Sequence, residues 1–233
     1  MLVKITNSCH MNCSHCMEDA SPNGEHMTIE TFEKTIKFVK QYNPFLIISG
    51  GEPTEHPEFK QFIELTKKYN IHTSVLSNGT FIKTHPEYLD LIQFQIINDK
   101  SYYPIEIKPI QHENIVVFST QISAPISPFG RAVKNNIKSS RMSPLCFNLR
   151  SITASTKNFQ ETIIFLRLKQ KMCIPSIDIH GNLLAGESRF CSKIGTIDDS
   201  NETITANILK FKCNKCGLVN NLNDLQKLII GEN

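Results

Sequence analysis

The sequence predicts an α/β protein built on a partial (β/α) barrel. Two observations favour this fold: short apolar runs of strand length alternate with segments of helical periodicity in the first half of the chain, and each run ends in a polar or glycine-rich loop. Eight βα units need about 250 residues. The chain has 233 residues, so a full barrel does not fit and we expect five or six units.

Three strand–loop–helix units follow one another from the N-terminus. The first strand, Leu2–Thr6, leads into a polar loop and then a helix that begins after Thr28, a plausible N-cap, and ends at Asn43-Pro44. Residues 45–48 form a continuous apolar run, which predicts the second strand, and residues 73–76 predict the third. This β-α-β-α order is typical of a parallel sheet with helices outside it.

Later segments continue the sheet and then change character. Gln93–Ile97 and Ile115–Ser119 are predicted as further strands, whereas residues 127–150 are rich in Pro, Gly, Ser and Asn and indicate a linker. Residues 177–184 predict a β-hairpin, and a helix is expected over 202–210. We therefore predict two units, residues 1–150 as the core and residues 151–233 as a smaller domain.

The overall composition excludes several classes of protein. Lysine and arginine number 25 and aspartate and glutamate 22, and the resulting charge of +3 without runs of like charge does not indicate nucleic-acid binding. No basic start precedes an apolar segment, and no stretch approaches a membrane span of about 18 apolar residues. We expect a cytoplasmic protein, where eight cysteines favour metal or redox ligands over disulfides.

Three cysteines directly follow the first strand. Cys9, Cys13 and Cys16 have three and then two residues between them, on a loop that can wrap three thiolates around one small object. Structural zinc sites take four ligands and usually present C-x2-C pairs, and a cubane iron–sulfur cluster normally takes four cysteines. Three cysteines without a fourth nearby therefore indicate a site with one open position.

The C-x3-C-x2-C spacing resembles the hallmark of the radical S-adenosylmethionine (SAM) superfamily. That resemblance implies a [4Fe-4S] cluster on Cys9, Cys13 and Cys16, whose open iron is chelated by the amino and carboxylate groups of SAM. It also implies a partial barrel. The segment Gly50-Gly51-Glu52 matches the family's GGE motif at the end of the second strand, where the glycines would expose backbone groups and Glu52 would accept from an ammonium.

Further SAM contacts are implied by the same resemblance. His15 occupies a position that is often aromatic in the family and would lie against the adenine. Ser77 and Asn78 end the third strand, where relatives often carry a polar residue, although Asn-Gly is also a common turn. Arg131 belongs to a segment that resembles a "GRA" motif of several relatives, and it would face either the site or the solvent.

A second group of cysteines lies near the C-terminus. Two of them flank the predicted hairpin and two form a C-x2-C pair, namely Cys173, Cys191, Cys213 and Cys216. Four thiolates are the ligand set of either a tetrahedral zinc ion or a complete iron–sulfur cluster, and their chemistry alone leaves both open. The spacing resembles the twitch domain, a shorter relative of the SPASM domain, which implies a second [4Fe-4S] cluster. Cys146 is left as a spare thiol.

The resemblance implies a reaction as well. Reductive cleavage of SAM would give a 5′-deoxyadenosyl radical that abstracts a hydrogen atom from the substrate, and the electron would come from a donor such as flavodoxin or ferredoxin. The chain's layout is similar to that of 2-deoxy-scyllo-inosamine dehydrogenase, which favours net oxidation of a small molecule. Two alternatives stay open: a maturase that modifies a ribosomal peptide by a thioether, crosslink, epimerisation or side-chain oxidation, and a non-catalytic zinc or iron–sulfur protein. No catalytic side chain is identified.

Overall fold

The computed structural model describes residues 1–42, 45–98, 107–119, 126, 129–138, 153–168 and 175–210. Within these residues eight strands form one open sheet: β1 (Leu2–Thr6), β2 (Phe45–Gly50), β3 (His72–Ser77), β4 (Gln93–Ile97), β5 (Ile115–Ser119), β6 (Ser176–Ile177), β7 (Asn182–Leu184) and β8 (Lys193–Thr196). The strand order is β5-β4-β3-β2-β1-β6-β7-β8. The predicted α/β class with an open, incomplete barrel is confirmed.

Helices and short 3₁₀ turns connect the strands. They are α1 (Ile29–Tyr42), a 3₁₀ turn at Pro53–Glu55, α2 (Phe59–Lys68), α3 (Phe81–Thr84), a 3₁₀ turn at Pro86–Asp90, α4 (Gly130–Lys134), α5 (Phe159–Leu168) and α6 (Asn201–Lys210). Thr28 caps α1 as predicted, because its Oγ1 accepts the backbone N–H of Thr31 at 3.2 Å.

The strands β1 to β5 are parallel, and β6 is also parallel to β1. β7 and β8 return antiparallel to form the far edge. Parallel strands all point the same way, so the loops that follow β1, β2 and β3 meet at one edge of the sheet. This is the edge at which the predicted cysteine and GGE motifs stand.

One face of the sheet packs against the helices. Phe32 and Ile36 of α1 are fully buried against a core that includes Val3 and Ile5 of β1. Since side chains alternate along a strand, Lys4 points to the opposite face from Val3 and Ile5. The helix predicted after Thr28 is confirmed, and its buried residues include Phe32, Ile36 and Val39.

The C-terminal third adds strands to the same sheet. β6 pairs with β1 through Leu2 with Ser176 and Val3 with Ile177, so the predicted hairpin extends the sheet beyond the boundary at residue 150. The division into units 1–150 and 151–233 stays a prediction.

Two helices correct the sequence analysis. The predicted linker at 127–150 contains α4, which packs on the cysteine loop. The sequence pattern did not predict α5, in which Ile163 is buried while the apolar Ile164 is 48% exposed.

Cys146 lies outside the described residues. Among the helices that the structure describes, each is too short or too polar to cross a lipid bilayer.

Protonation of His56 should weaken the fold in acid. His56 is buried, and its Nε2 donates to the carbonyl of Met27 at 2.9 Å while its Nδ1 accepts the N–H of Glu58 at 3.0 Å. Burial lowers the pKa of His56, so the folded state keeps the ring neutral. This contribution to stability is therefore complete above the unfolded pKa of about 6.5 and is lost as the pH falls below it.

We expect His56→Gln to flatten the dependence of the unfolding free energy on pH between about pH 7 and 5. Urea unfolding at several pH values measures this dependence. His72→Gln is the control, because the His72 side chain is exposed. An unchanged slope in His56→Gln would contradict the prediction.

Candidate metal centre

The three N-terminal cysteines lie on the loop between β1 and α1, at the carboxyl end of the parallel strands. Cys13 is buried, and Cys9 and Cys16 are half-buried. The N–H of Cys16 donates to the carbonyl of Cys13 at 3.2 Å, and the N–H of Asp19 donates to that of Cys16 at 3.2 Å. The segment from Cys13 to Asp19 is thus folded into successive turns. Residues 9–19 are called the cysteine loop below.

Two thiols of this loop, those of Cys9 and Cys13, are shielded from water. Burial raises the pKa of Cys9 and of Cys13 to about 12, and the charges of neighbouring cysteines add to the shift in both cases. Metal binding would have to displace the thiol protons, as it does in cysteine sites generally. Among the described residues no three His, Cys, Asp or Glu side chains form a ready-made site for a single metal ion. Three thiols on one loop are nevertheless the right donors for an iron–sulfur cluster.

The glycines of the GGE motif allow β2 and the cysteine loop to approach closely. A Cβ atom on Gly51 would lie 2.0 Å from the carbonyl oxygen of Ser8, and one on Gly50 would lie 2.2 Å from that of Thr6. We expected these glycines to expose backbone groups to a ligand. In the structure the N–H of Gly51 donates to Thr6 and the N–H of Glu52 donates to Ser8, so these groups hold the loop to β2.

Glu52 is completely buried and joins the end of β2 to the end of β3. Its Oε1 accepts from Thr54 Oγ1 at 2.6 Å and Ser77 Oγ at 2.8 Å, and also from the N–H of Thr54. Its Oε2 accepts the N–H of Asn78 at 2.8 Å. Burial raises the pKa of Glu52, although these hydrogen bonds oppose the shift. Its predicted contact with the SAM ammonium stays a prediction.

Asn78 links the third strand to the cysteine loop. Its Nδ2 lies 3.8 Å from the sulfur of Cys9, and its Oδ1 accepts the N–H of Thr80 at 2.8 Å. The carbonyl of Asn78 in turn accepts from the side chain of Asn98 at 3.1 Å. The structure therefore brings Cys9, Glu52, Ser77 and Asn78 together at one edge.

Arg131 clamps the cysteine loop from the side of α4. Its guanidinium donates to the carbonyl of Cys13 at 2.9 Å and to that of Ala20, and pairs with Asp19 at 3.3 Å. Its backbone N–H donates to the carbonyl of Cys16 at 2.9 Å. The guanidinium lies on the backbone of the loop, and its planar group of N–H donors suits several such contacts at once. Its predicted contact with SAM stays a prediction.

The loop preceding Cys191 also touches the cysteine loop. Ser188 Oγ donates to the carbonyl of Met17 at 3.1 Å, and the N–H of Arg189 donates to Glu18 Oε2 at 3.1 Å. Cys191 itself is buried. Its predicted partners Cys173, Cys213 and Cys216 lie outside the described residues, so the second site stays a prediction.

His15 is half-buried within the cysteine loop. Its predicted position against the adenine of SAM stays a prediction.

Sequence analysis missed several side chains that hold the cysteine loop. Glu55 accepts from the backbone and the ring of His10 at 3.1 and 2.8 Å. The other missed residues are Lys4, Glu18, Asp19, Ser188 and Arg189. A lysine within the otherwise apolar strand LVKIT was the one available signal, since a charged residue is almost never buried unless it is paired.

Comparison with known proteins agrees with this geometry. Residues 3–98 match the model of the radical SAM superfamily, and this region contains the cysteine loop, the GGE motif and strands β1 to β4. This part of the chain is therefore similar to the radical SAM superfamily.

Curated relatives match over the same part of the chain. The S-adenosylmethionine-dependent nucleotide dehydratase of Thermoplasmatales archaeon (strain ISO4-H5) is 32% identical over 81 residues, which is 34% of this chain and 29% of that protein. The antilisterial bacteriocin subtilosin biosynthesis protein AlbA of Bacillus subtilis (strain 168) is 29% identical over 92 residues, covering 39% and 20%. The chain thus spans less than a third of the length of either relative.

Among solved structures, the fold is shared with BtrN in its complex with AdoMet and 2-DOIA. The TM-score is 0.56 at 14% identity, and the match covers 95% of this chain and 92% of BtrN. At this identity the likeness concerns the fold, including the C-terminal strands.

Proposed function

We propose that this protein is a radical SAM enzyme that cleaves SAM reductively and abstracts a hydrogen atom from its substrate. The observation that carries the proposal is the cysteine loop: three thiols on a loop held against the ends of β2 and β3, with the Asn78 amide 3.8 Å from the sulfur of Cys9. The radical SAM match over residues 3–98 covers all of these groups.

The side chains around the loop have distinct tasks in this proposal. A [4Fe-4S] cluster bound at this loop would supply the electron for reductive cleavage of SAM. Cys9, Cys13 and Cys16 would hold that cluster, while Glu52 fixes the edge of β2 against β3. Arg131 fixes the backbone of the loop. These contacts fix the position of the loop that would hold the cluster, and such positioning is the protein's contribution in cofactor chemistry.

A second [4Fe-4S] cluster on Cys173, Cys191, Cys213 and Cys216 is part of the proposal. The contact of the Ser188 hydroxyl and the Arg189 N–H with the cysteine loop supports it, because Cys191 follows Arg189 by two residues. Such a cluster would accept an electron from the substrate radical or help to hold the substrate. A flavodoxin or ferredoxin in a reducing cytoplasm would supply the first electron.

Anaerobic reconstitution tests the activity. We expect the protein to bind about eight irons as two four-iron clusters and to convert SAM into 5′-deoxyadenosine under reducing conditions. Cys13→Ala should abolish this conversion, and Cys146→Ala is the matched control. Binding of two zinc ions without SAM cleavage would overturn the enzyme proposal and favour a non-catalytic metal protein.

A double change separates the two sites. We expect Cys213→Ala with Cys216→Ala to remove about four irons while SAM cleavage is partly kept, because the first site does not use these thiols. Iron analysis and 5′-deoxyadenosine yield measure both effects. Unchanged iron content would refute the second cluster.

For the substrate, we propose a small molecule that undergoes net oxidation. The fold shared with BtrN, whose complex holds AdoMet and 2-DOIA, supports this class. Peptide modification is the second candidate, favoured by the match to a bacteriocin biosynthesis protein. Deuterated alcohols and peptides distinguish them, since only the substrate transfers deuterium to 5′-deoxyadenosine.

A further inference from the structure

We propose that Glu18 is a positioning residue that fastens the cysteine loop to β1 below it and to the Ser188–Arg189 segment beside it. The inference rests on the proposed function only in giving that loop a cluster to hold. Glu18 is not a cofactor ligand here, and no sequence motif pointed to it.

The first contact of Glu18 is with the sheet. Lys4 lies in the middle of β1 and points away from the helical core, and its side chain is 1% exposed. Its Nζ lies 3.2 Å from Glu18 Oε1, and the Glu18 side chain is 8% exposed. This charged pair joins β1 to Glu18, which lies two positions after Cys16.

The second contact of Glu18 is with the C-terminal part of the chain. Its other oxygen, Oε2, accepts the N–H of Arg189 at 3.1 Å. On either side, Ser188 Oγ donates to the carbonyl of Met17 at 3.1 Å and Arg189 Nη2 donates to that of Asp19 at 3.3 Å. Three successive residues of the loop therefore meet one short segment, with Glu18 at the centre.

The Lys4–Glu18 pair is poorly suited to a purely stabilising role. The 3.2 Å contact is not aligned as a hydrogen bond, and no other partner within the described residues meets Lys4 Nζ or Glu18 Oε1. A buried ion pair offsets the loss of hydration only when its geometry is good and its remaining donors and acceptors are satisfied. Well-packed apolar residues often replace such pairs without loss of stability, so we ascribe the pair to placement of the loop.

Two double variants test this role in the apoprotein. Lys4→Met with Glu18→Gln removes both charges but keeps an acceptor for the N–H of Arg189, whereas Lys4→Met with Glu18→Leu removes the acceptor as well. Hydrogen–deuterium exchange should report the amides of Cys16 and Asp19, which are hydrogen-bonded within the loop. We expect exchange to be about five- to tenfold faster in the leucine variant than in the glutamine variant.

One control variant, one further test variant and a folding check make the result specific. Lys34→Met removes another pair to the C-terminal part, with Asp198 at 3.6 Å, and should leave loop exchange unchanged. Ser188→Ala removes the adjacent contact to Met17 without altering charge and should speed exchange at the same amides. Thermal unfolding tests whether each variant is folded. If the leucine variant does not fold, the exchange rates of Ser188→Ala decide whether the contact with the Ser188–Arg189 segment positions the loop. Equal exchange in the two double variants, or in wild type and Ser188→Ala, would overturn the inference.

A second readout follows reconstitution with iron. We expect the glutamine variant to keep the wild-type change in the electron paramagnetic resonance spectrum on addition of SAM, and the leucine variant to lose it. Identical spectra in both variants would also count against Glu18. Failure of the wild-type protein to load iron would instead overturn the proposed function, and the apoprotein exchange result would still judge the positioning role.

Discussion

Replacing Glu52 with alanine should destabilise the protein by about 3–5 kcal/mol. The carboxylate is fully buried and accepts four hydrogen bonds, two of them from the backbone N–H groups of Thr54 and Asn78. Backbone donors cannot rotate toward another acceptor, and each unsatisfied buried donor costs about 1–3 kcal/mol. Urea unfolding of the apoprotein measures the loss without any cofactor.

Glu52→Gln is the matched variant, because it keeps the shape and one carbonyl oxygen. That oxygen can still accept hydrogen bonds from Thr54 and Ser77, while the new NH₂ group faces the N–H of Asn78. The N–H of Asn78 then has no acceptor, which costs about 1–3 kcal/mol of stability. The expected order of stability is wild type, glutamine, alanine. If the alanine variant unfolded at the same urea concentration as wild type, Glu52 would have no role in joining β2 to β3.

Gly51→Ala should cost about 3 kcal/mol and should also impair iron loading. The added Cβ would lie 2.0 Å from the carbonyl oxygen of Ser8, which is backbone and cannot swing aside as a side chain can. The strain would separate β2 from the segment that carries Cys9 and would lengthen the 2.7 Å hydrogen bond between the N–H of Glu52 and Ser8. Denaturant unfolding and iron content after reconstitution measure the two effects.

Gly195→Ala provides a control of the same chemistry. A Cβ at Gly195 meets side-chain atoms of Asp199 and Ile204 at 3.1 Å, and these atoms can move by a few tenths of an ångström. We expect a loss well below that of Gly51→Ala. Equal effects of the two substitutions would show that the close backbone approach at Gly51 is not limiting.

The strands were predictable because their signal is local. Phe45–Gly50 and Gln93–Ile97 stand out as short apolar runs or alternating patterns between turn residues. α5 was not predictable from one-face periodicity, since apolar residues lie on its exposed side as well. α4 occurs in a segment of loop-like composition, and its contacts with the cysteine loop hold it in place.

Some residues of the candidate site could also be predicted from the sequence, and others could not. The spacing of Cys9, Cys13 and Cys16 is visible because the chemistry demands that residue type at short range. The roles of Glu52 and Arg131 were only partly predictable, because a side chain's partner depends on which strands and loops become neighbours. Glu18 was missed for this reason: its partners Lys4 and Arg189 lie 14 and 171 positions away along the chain.

The position of β1 has a consequence for synthesis of the protein on the ribosome. β1 is made before β2 and β6, yet it lies between them in the sheet, and its pairing with β6 joins residues near 2 to residues near 176. Until that late segment emerges, one side of β1 presents unpaired backbone groups, which are prone to pair with other chains. A nascent chain that stalls before β6 would therefore be open to aggregation along this strand.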